Sequence, residues 1–286
     1  MKITEIGRIK GGQDGAIYKS KLFRFDHHGT CYVYELSDLK NDRCEELSPI
    51  AQIAPYRDDL LPHNNAVCFG SEFFEQGDEY PLLYTNIYNN YADAEDKMLG
   101  TCCVYRIQNL DGRFKSTLVQ IIQIGFCEDA ELWKATENEH GERPYGNFLV
   151  DNSTASYYAF VMRDEEKGTR YFRFDLPSVR AGELDPKYNV PRVILTKEDI
   201  KESFDTGYYR FIQGAALHDG KIYSTEGFSN DQTNRPALRV MDLATKKEKY
   251  IDIMDLGFSN EPEFIDFYNG DCLYSDADGV LYRIDF

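Results

Sequence analysis

The segment 212–228 contains two apolar runs separated by the dipeptide Asp219-Gly220. Asp-Gly between two such runs predicts a tight β-hairpin, because both residues tolerate the positive φ that a type I′ turn requires. Two further strand-like runs follow at 237–243 and 249–253. Four short strands in succession predict a meander, which is the unit of one blade of a β-propeller.

The same unit recurs along the chain, and each copy opens with a polar residue ahead of an apolar hairpin. The openings lie at Asp14, Asn64, Asn147, Gln213 and Glu263. A four-stranded blade needs about 40–50 residues, so these openings predict five blades in a single domain that covers residues 1–286.

The N-terminal run supplies a strand that the fifth copy of the unit lacks. The fifth copy lacks an outer strand, and the run Ile3–Ile9 has no blade ahead of it. We therefore predict an all-β fold, a five-bladed β-propeller of four-stranded antiparallel blades. The N-terminal strand should close the ring by pairing with the last blade, which leaves only short sheet edges.

The net charge is −17 and the basic residues do not cluster. This argues against nucleic acid and anionic membranes as partners, because both select a basic surface.

The sequence has no apolar N-terminal segment and no span that could cross a membrane. Its seven cysteines form no Cys-x-x-Cys motif, which indicates reduced thiols. We expect a cytoplasmic monomer.

Loops that enter the first strand of a blade and loops that leave its second strand lie on the same face of a propeller. Insertions at 89–96 and 126–144 fall in such loops. Besides the five openings, this face should carry His63 and the ends of the second strands, at Asn86, Arg163, Glu226 and Asp276. The sequence therefore predicts a polar, acidic funnel at one mouth of the central channel.

Two carboxylates across a funnel can act as general acid and general base, as in glycoside hydrolysis. Our candidates are Asp14 as base or nucleophile and Glu226 as acid. The residues that should bind a small polar molecule or sugar are His63, Asn64, Asn86, Asn147, Arg163, Gln213, Glu263 and Asp276. This set predicts a hydrolase that acts on a carbohydrate or another small polar molecule.

A non-catalytic propeller that binds a ligand or a protein is the alternative function, since polar openings also suit a water-filled channel. We expect no cofactor. The run Asp276-Ala277-Asp278-Gly279 resembles the start of a calcium loop but lacks the later Glu ligand of an EF-hand, so it predicts a turn. No motif supports a calcium ion in the channel.

One blade resembles a known family. In the blade at about 212–243, Gln213-Gly214 opens the unit, Gly220-x-x-Tyr223 forms the hairpin, and 238–243 reads Leu-Arg-x-x-Asp-Leu. These features resemble the plant and bacterial type of glutaminyl cyclotransferases, which are five-bladed propellers. The resemblance implies the fold and a cyclotransferase-like activity. That family carries Glu directly after the Tyr, whereas Ser224 stands here, so no catalytic role transfers.

Glycosidases on five-bladed propellers also resemble the chain. They place one carboxylate from each blade around the channel mouth. In this sequence, Asp14, Glu226, Glu263 and Asp276 would take those places.

Overall fold

The computed structural model describes residues 1–39, 45–55, 60, 63–87, 100–126, 146–164, 166–207, 211–228 and 232–286. Short strands dominate these residues. The first ten strands are β1 (Lys2–Arg8), β2 (Gly15–Tyr18), β3 (Lys21–Phe25), β4 (Cys31–Glu35), β5 (Glu45–Glu46), β6 (Ala51–Ile53), β7 (Val67–Phe69), β8 (Leu83–Ile87), β9 (Thr101–Leu110) and β10 (Arg113–Ile124).

The remaining strands complete the chain. They are β11 (Gly146–Asp151), β12 (Ser156–Asp164), β13 (Gly168–Asp175), β14 (Glu183–Asp185), β15 (Val190–Leu195), β16 (Glu202–Thr206), β17 (Ile212–His218), β18 (Lys221–Glu226), β19 (Ala237–Asp242), β20 (Glu248–Asp252), β21 (Pro262–Tyr268), β22 (Asp271–Asp276) and β23 (Val280–Asp285). Three short 3₁₀ turns lie at Leu36–Asp38, Lys197–Asp199 and Met254–Leu256.

The strands form five sheets, each built on four antiparallel strands, and the predicted five-bladed propeller is confirmed. From the inner to the outer strand, the blades are β2-β3-β4-β6, β7-β8-β9-β10, β11-β12-β13-β16, β17-β18-β19-β20 and β21-β22-β23-β1. The inner strands β2, β7, β11, β17 and β21 contact one another in a closed ring. They therefore line the central channel.

The N-terminal strand closes the ring as the sequence predicts. Strand β1 pairs antiparallel with β23, from Lys2 opposite Asp285 to Arg8 opposite Val280. The short strand β5 then adds to β1 in parallel, so the outer edge of the last blade is covered over Gly7 and Arg8. This pairing joins the two ends of the chain in one sheet.

The hairpin turns have the predicted geometry. In the fourth blade, Asp219 and Gly220 have φ angles of 46° and 69°. In the fifth blade, Asn269 and Gly270 have φ angles of 51° and 87°. Positive φ at both central residues is the type I′ signature, and it matches the twist of the flanking strands.

The core consists of five clusters, one between each pair of neighbouring blades. Aromatic side chains at equivalent positions of the second strands supply much of it, and Tyr84, Phe160, Tyr223 and Tyr274 are all buried. Each blade is therefore held mainly by apolar contacts with the blades beside it.

The sequence did not predict the hairpin formed by β14 and β15. This insertion follows the third strand of blade 3. It reaches across to blade 2, where β15 pairs in parallel with β10 from Ile121 to Ile124. Burial of Val190 and Leu195 accompanies this pairing. The hairpin ties two neighbouring blades together at their outer edges.

Cys31, Cys102, Cys103 and Cys272 are buried thiols outside any disulfide. Cys44 and Cys127 lie outside the described residues. Among the residues that the structure describes, no helix is long and apolar enough to cross a membrane.

Deletion of residues 2–8 should unfold the protein or lower its free energy of unfolding by more than about 3 kcal/mol, because it exposes β23 as an open edge and removes buried Ile6. Chemical denaturation followed by circular dichroism measures this. As the control, Arg8→Ala removes an exposed side chain whose ion pair with Glu5 is a weak 4.0 Å contact, and it should change little. An unchanged midpoint in the deletion variant would contradict closure by β1.

Candidate functional site at the channel mouth

The polar openings lie where the inner strands begin. Gln13 and Asp14 precede β2, Asn64 and Asn65 precede β7, Gln213 lies in β17 and Glu263 lies in β21. All six are buried. The backbones of Asn147 and Arg163 lie in β11 and β12, but their side chains lie outside the described part of the structure. So do the insertions at 89–96 and 127–144.

Asp14 connects three blades. Its Oδ2 accepts hydrogen bonds from the backbone N–H of Val67 in blade 2, at 3.0 Å, and of Ala215 in blade 4, at 3.3 Å. Its own N–H donates to the carbonyl of Asn64, at 3.1 Å. Complete burial raises the pKa of Asp14 well above its usual range, and the backbone donors and Arg24 only partly oppose this.

The inner strand of blade 4 passes very close to Asp14. A Cβ atom at Gly214 would lie 3.1 Å from Asp14 Oδ1 and 2.8 Å from the Glu263 carbonyl oxygen. Glycine is therefore required at this crossing. Asp14 Oδ1 has no hydrogen-bond partner among the described residues.

Arg24, in β3, is the buried cation of the site. Its Nε donates to the carbonyl of Gly11 at 3.2 Å and its Nη2 to the carbonyl of Asp276 at 3.5 Å. The guanidinium also lies over the ring of Phe264, 5.2 Å from the ring centre. Burial lowers the pKa of Arg24 to about 10, while Glu263, Asp14 and Asp276 act in the opposite direction. Arg24 therefore remains a cation at neutral pH.

Glu263 is a buried carboxyl group with a raised pKa. Burial is the largest cause, and the neighbouring Glu261 adds to it, whereas Arg24 acts against it. Its Oε1 accepts only a long 3.5 Å hydrogen bond from Gln13 Nε2. Its Oε2 has no partner among the described residues. A carboxyl group in this environment holds its proton at higher pH than an ordinary glutamate does.

Glu261 lies beside Glu263 and is only partly buried. Its Oε1 accepts a 2.5 Å hydrogen bond from Gln213 Nε2. Burial raises the pKa of Glu261 as well. Asp276 completes this acidic group, and its pKa is raised mainly by burial although Asn260 and the Val280 N–H donate to it.

Glu226 is paired with an arginine of its own blade. Its Oε1 accepts hydrogen bonds from Arg239 Nε at 3.0 Å and Nη2 at 2.9 Å. Arg239 also pairs with Glu248 at 3.4 Å, and Glu248 accepts the N–H of Gly207 from the end of blade 3. Glu226 thus belongs to an ion-pair network where blades 3 and 4 meet.

The amides of blade 2 form their own contacts. Asn86 Nδ2 donates to Asn65 Oδ1 at 2.9 Å, and Asn65 Nδ2 donates to the carbonyl of Ile212 in blade 4 at 3.3 Å. His63 is largely enclosed. Burial, followed by the proximity of His27, lowers the pKa of His63 to about 4, so the imidazole is neutral at neutral pH.

Sequence reasoning missed Arg24, Gln13 and Asn65 as members of the site. For Arg24 a signal existed, because an arginine inside the apolar run 21–25 must either face solvent or meet buried acids. Among the described residues, no group of three or more His, Cys, Asp and Glu side chains is arranged to hold a metal ion.

The comparisons with known proteins support the fold. No family model matches the chain, and a search of curated proteins finds no match. The crystal structure of Myxococcus xanthus glutaminyl cyclase matches with a TM-score of 0.52 and 10% identity, over 100% of this chain and 96% of that one. At this identity the likeness shows the five-bladed fold alone.

Two other structures are less similar. Kuenenia stuttgartiensis hydrazine synthase has a TM-score of 0.45 and 8% identity over 92% of this chain, which spans 61% of that chain. The Myceliophteria thermophila Cps50 (Swd1) β-propeller domain has a TM-score of 0.42 and 7% identity, over 97% of this chain and 98% of that domain.

Replacing Asp14 tests its role as a connector of blades. Asp14→Ala should lose about 1–3 kcal/mol of stability for each backbone N–H left unpaired, at Val67 and Ala215. Asp14→Asn keeps a carbonyl acceptor without the cost of a buried charge, so at neutral pH it should be at least as stable as the wild type. Denaturant unfolding of both variants measures this.

The pH dependence of the stability difference between Asp14→Asn and the wild type provides the control for this prediction. Because the folded-state pKa of Asp14 is raised, its stabilising contribution is complete below the unfolded-state pKa and is lost as the pH rises through the folded-state value. The stability advantage of Asp14→Asn over the wild type should therefore grow with pH. An advantage that shrinks with pH would show that Asp14 is stabilised as a carboxylate.

Proposed function

We propose that the protein is a hydrolase that acts on a carbohydrate or another small polar molecule at the channel mouth. In this proposal Glu263 is the general acid, and Glu261 is the carboxylate that activates water. The guanidinium of Arg24 lies next to Glu263, and its positive charge would stabilise negative charge that develops during the reaction. Hydrolysis by two carboxyl groups requires one that is protonated and one that is ionised at the same pH.

The observation that carries the proposal is the buried carboxyl group of Glu263. Its pKa is raised by burial and by Glu261, and one of its oxygens has no partner among the described residues. A general acid works best when its pKa lies near the operating pH, and burial is the usual means of bringing a glutamate there. The more exposed Glu261 is the better placed of the two to reach water.

The sequence-based roles of Asp14 and Glu226 remain predictions that the same experiment tests. Two backbone N–H groups hold Asp14, and Arg239 holds Glu226. Both carboxyl groups thus have structural partners, which favours Glu263 as the acid. The substrate-binding role proposed for His63, Asn64, Asn86, Asn147, Arg163, Gln213 and Asp276 is unchanged.

The fold likeness to a glutaminyl cyclase adds one substrate to the test. A carboxyl proton donor also suits a cyclotransferase reaction, in which a leaving group must be protonated. A glutaminyl substrate therefore belongs in the assay beside the glycosides.

A second candidate is a ligand-binding propeller without catalysis. Several polar groups at the mouth already have protein partners, and this observation favours binding without catalysis. Examples are Gln213 with Glu261 and Asn86 with Asn65. Such a site would bind its ligand through atoms such as Asn86 Oδ1, which has no partner among the described residues.

The experiment is a screen of aryl glycosides, small esters and a glutaminyl peptide against wild type and four amide variants: Glu263→Gln, Glu261→Gln, Asp14→Asn and Glu226→Gln. Glu263→Gln should lower kcat by about 10²–10⁴-fold while the fold is retained. Because the acid must be protonated, wild-type activity should fall as the pH rises through the pKa of Glu263. Glu198→Gln is the control, since Glu198 is exposed in blade 3 and should leave turnover unchanged.

Other outcomes assign the function differently. Turnover that survives in Glu263→Gln and is lost in Asp14→Asn or Glu226→Gln would restore the sequence-based pair. Saturable binding of a screened compound without turnover, in wild type as well, would establish the binding protein.

A further inference from the structure

Two glutamine side chains contact the two glutamates of the candidate site, one each. Gln13, ahead of β2, donates its Nε2–H to Glu263 Oε1 at 3.5 Å. Gln213, in β17, donates its Nε2–H to Glu261 Oε1 at 2.5 Å. Both glutamines are buried. They belong to blades 1 and 4, so a glutamine from each neighbouring blade reaches one glutamate at the entrance to blade 5.

The orientation of the Gln213 amide is fixed by its surroundings. Its Nε2 also donates to the carbonyl oxygen of Gly227, at 3.4 Å. Because both partners are acceptors, only the nitrogen of the amide can face them, and its two hydrogens supply one bond to each. The amide nitrogen therefore has no hydrogen left for a substrate, and only Oε1 is available to bind one.

The backbone that anchors Gln213 is itself held in place. Gly227 has a φ of 98°, and a Cβ atom there would clash with the carbonyl of Arg235. The N–H of Gly227 donates to the carbonyl of Phe211 at 3.0 Å. Only glycine fits this conformation and this close approach. The carbonyl oxygen of Gly227 is thus a fixed point of blade 4 from which Gln213 reaches blade 5.

Glu261 is held at its backbone and at its side chain. Its carbonyl oxygen accepts the N–H of Ala277 at 2.8 Å, which ties the residue to the end of β22. Its carboxyl group accepts the bond from Gln213. A group that is fixed at both ends keeps one orientation, which is what a residue that activates water requires.

The two glutamine–glutamate contacts differ in strength. The 2.5 Å bond to Glu261 is close, whereas the 3.5 Å bond to Glu263 is at the outer limit of a hydrogen bond. A hydrogen bond donated to a carboxyl group favours its ionised form. Glu261 therefore receives a strong donor and Glu263 a weak one, and a base and an acid need this difference.

We propose that Gln213 is a positioning residue of the candidate site. It holds the Glu261 carboxyl group against blade 4 and favours its ionised form, while Gln13 leaves Glu263 free to keep its proton. This inference rests on the proposed function, because it identifies the residue that prepares the general base. Blade 4, which supplies neither glutamate, thereby sets the role of one of them.

The titratable and charged groups that face this part of the site come from three blades. They are Glu263, Asp276 and Asp278 of blade 5, Arg24 of blade 1, and Glu226 of blade 4 with its partner Arg239. Burial raises the pKa of Glu261. Loss of the Gln213 donor should therefore raise this pKa further.

The test replaces each glutamine by methionine, which has nearly the same length but no hydrogen-bond donor. In Gln213→Met the pKa of Glu261 should rise by about 1, which is a tenfold gain in proton affinity. Gln13→Met is the matched control and should leave it nearly unchanged. Carbon-13 NMR of the glutamate carboxyl groups follows the titration, and Glu261→Gln assigns the signal. This measurement needs no substrate, so it is independent of whether the protein is a hydrolase.

The pH profile of turnover is the second readout, with a substrate from the screen described above. The acidic limb of kcat reports ionisation of the general base. In Gln213→Met this limb should move to higher pH and kcat should fall while KM changes little, because Gln213 acts through Glu261. In Gln13→Met the acidic limb should stay in place.

Gln213→Asn is the second variant, since its shorter amide cannot reach both Gly227 and Glu261, and it carries the test if Gln213→Met fails to fold. A pKa of Glu261 that is the same in wild type and in the folded Gln213 variants would overturn the proposal. An equal rise in Gln13→Met would also overturn it, because the effect would then not depend on the Gln213 bond. Absence of turnover in wild type would contradict the proposed function alone, and the NMR titration would still decide the role of Gln213.

Discussion

The guanidinium of Arg24 is buried at the channel mouth with Asp14, Glu263 and Asp276 as its charged neighbours. A buried cation is tolerated only when acids compensate it, and buried acids without enough cations keep their protons. Here the acids outnumber the guanidinium. Burial is the main cause of the raised pKa of Glu263, and the surplus of acids, chiefly Glu261, adds to it although a cation lies close by. Removing water from this group of charges thus lets Glu263 keep its proton to a higher pH than an ordinary glutamate does.

The same part of the molecule holds the ring together. Asp14 receives hydrogen bonds from blades 2 and 4, and Gly214 lets the inner strand of blade 4 approach it closely. At the outer edge, β1 completes the last blade. A rigid ring fixes the distance between side chains on different blades, which is the condition for holding Arg24 of blade 1 next to Glu263 and Asp276 of blade 5. The residue that connects the blades, Asp14, therefore belongs to the same buried group of charges as Glu263.

Much of the fold could be predicted from the sequence, because blade geometry is local. The Asp219-Gly220 turn, the alternation of apolar residues and the incomplete fifth unit specify hairpins, blades and closure without reference to distant contacts. The hairpin β14–β15 could not be predicted, because its pairing with β10 depends on a neighbouring blade. The short runs on each side of its turn contain Pro191 and little periodic pattern.

The positions of the candidate site residues could be predicted in part for the same reason. Openings such as Asp14 and Glu263 follow from the repeat, and the structure brings them to one buried group around Arg24. Glu226 also follows from the repeat, yet its partner Arg239 is on the next strand, and that pairing depends on side-chain direction. Arg24 was missed because the pattern of its strand is apolar, and only the tertiary structure shows which acids surround it.

The pH at which Glu263 loses its proton tests the account most directly. Infrared difference spectroscopy between the Asp14→Asn variant and the Asp14→Asn, Glu263→Gln double variant reports the carbonyl stretch of protonated Glu263, because the buried Asp14 carboxyl group is absent from both and the other acids cancel in the difference. We predict that the band of Glu263 persists to a higher pH than that of an ordinary glutamate, because burial raises its pKa. Loss of the band in the acidic range of an ordinary glutamate would contradict the account.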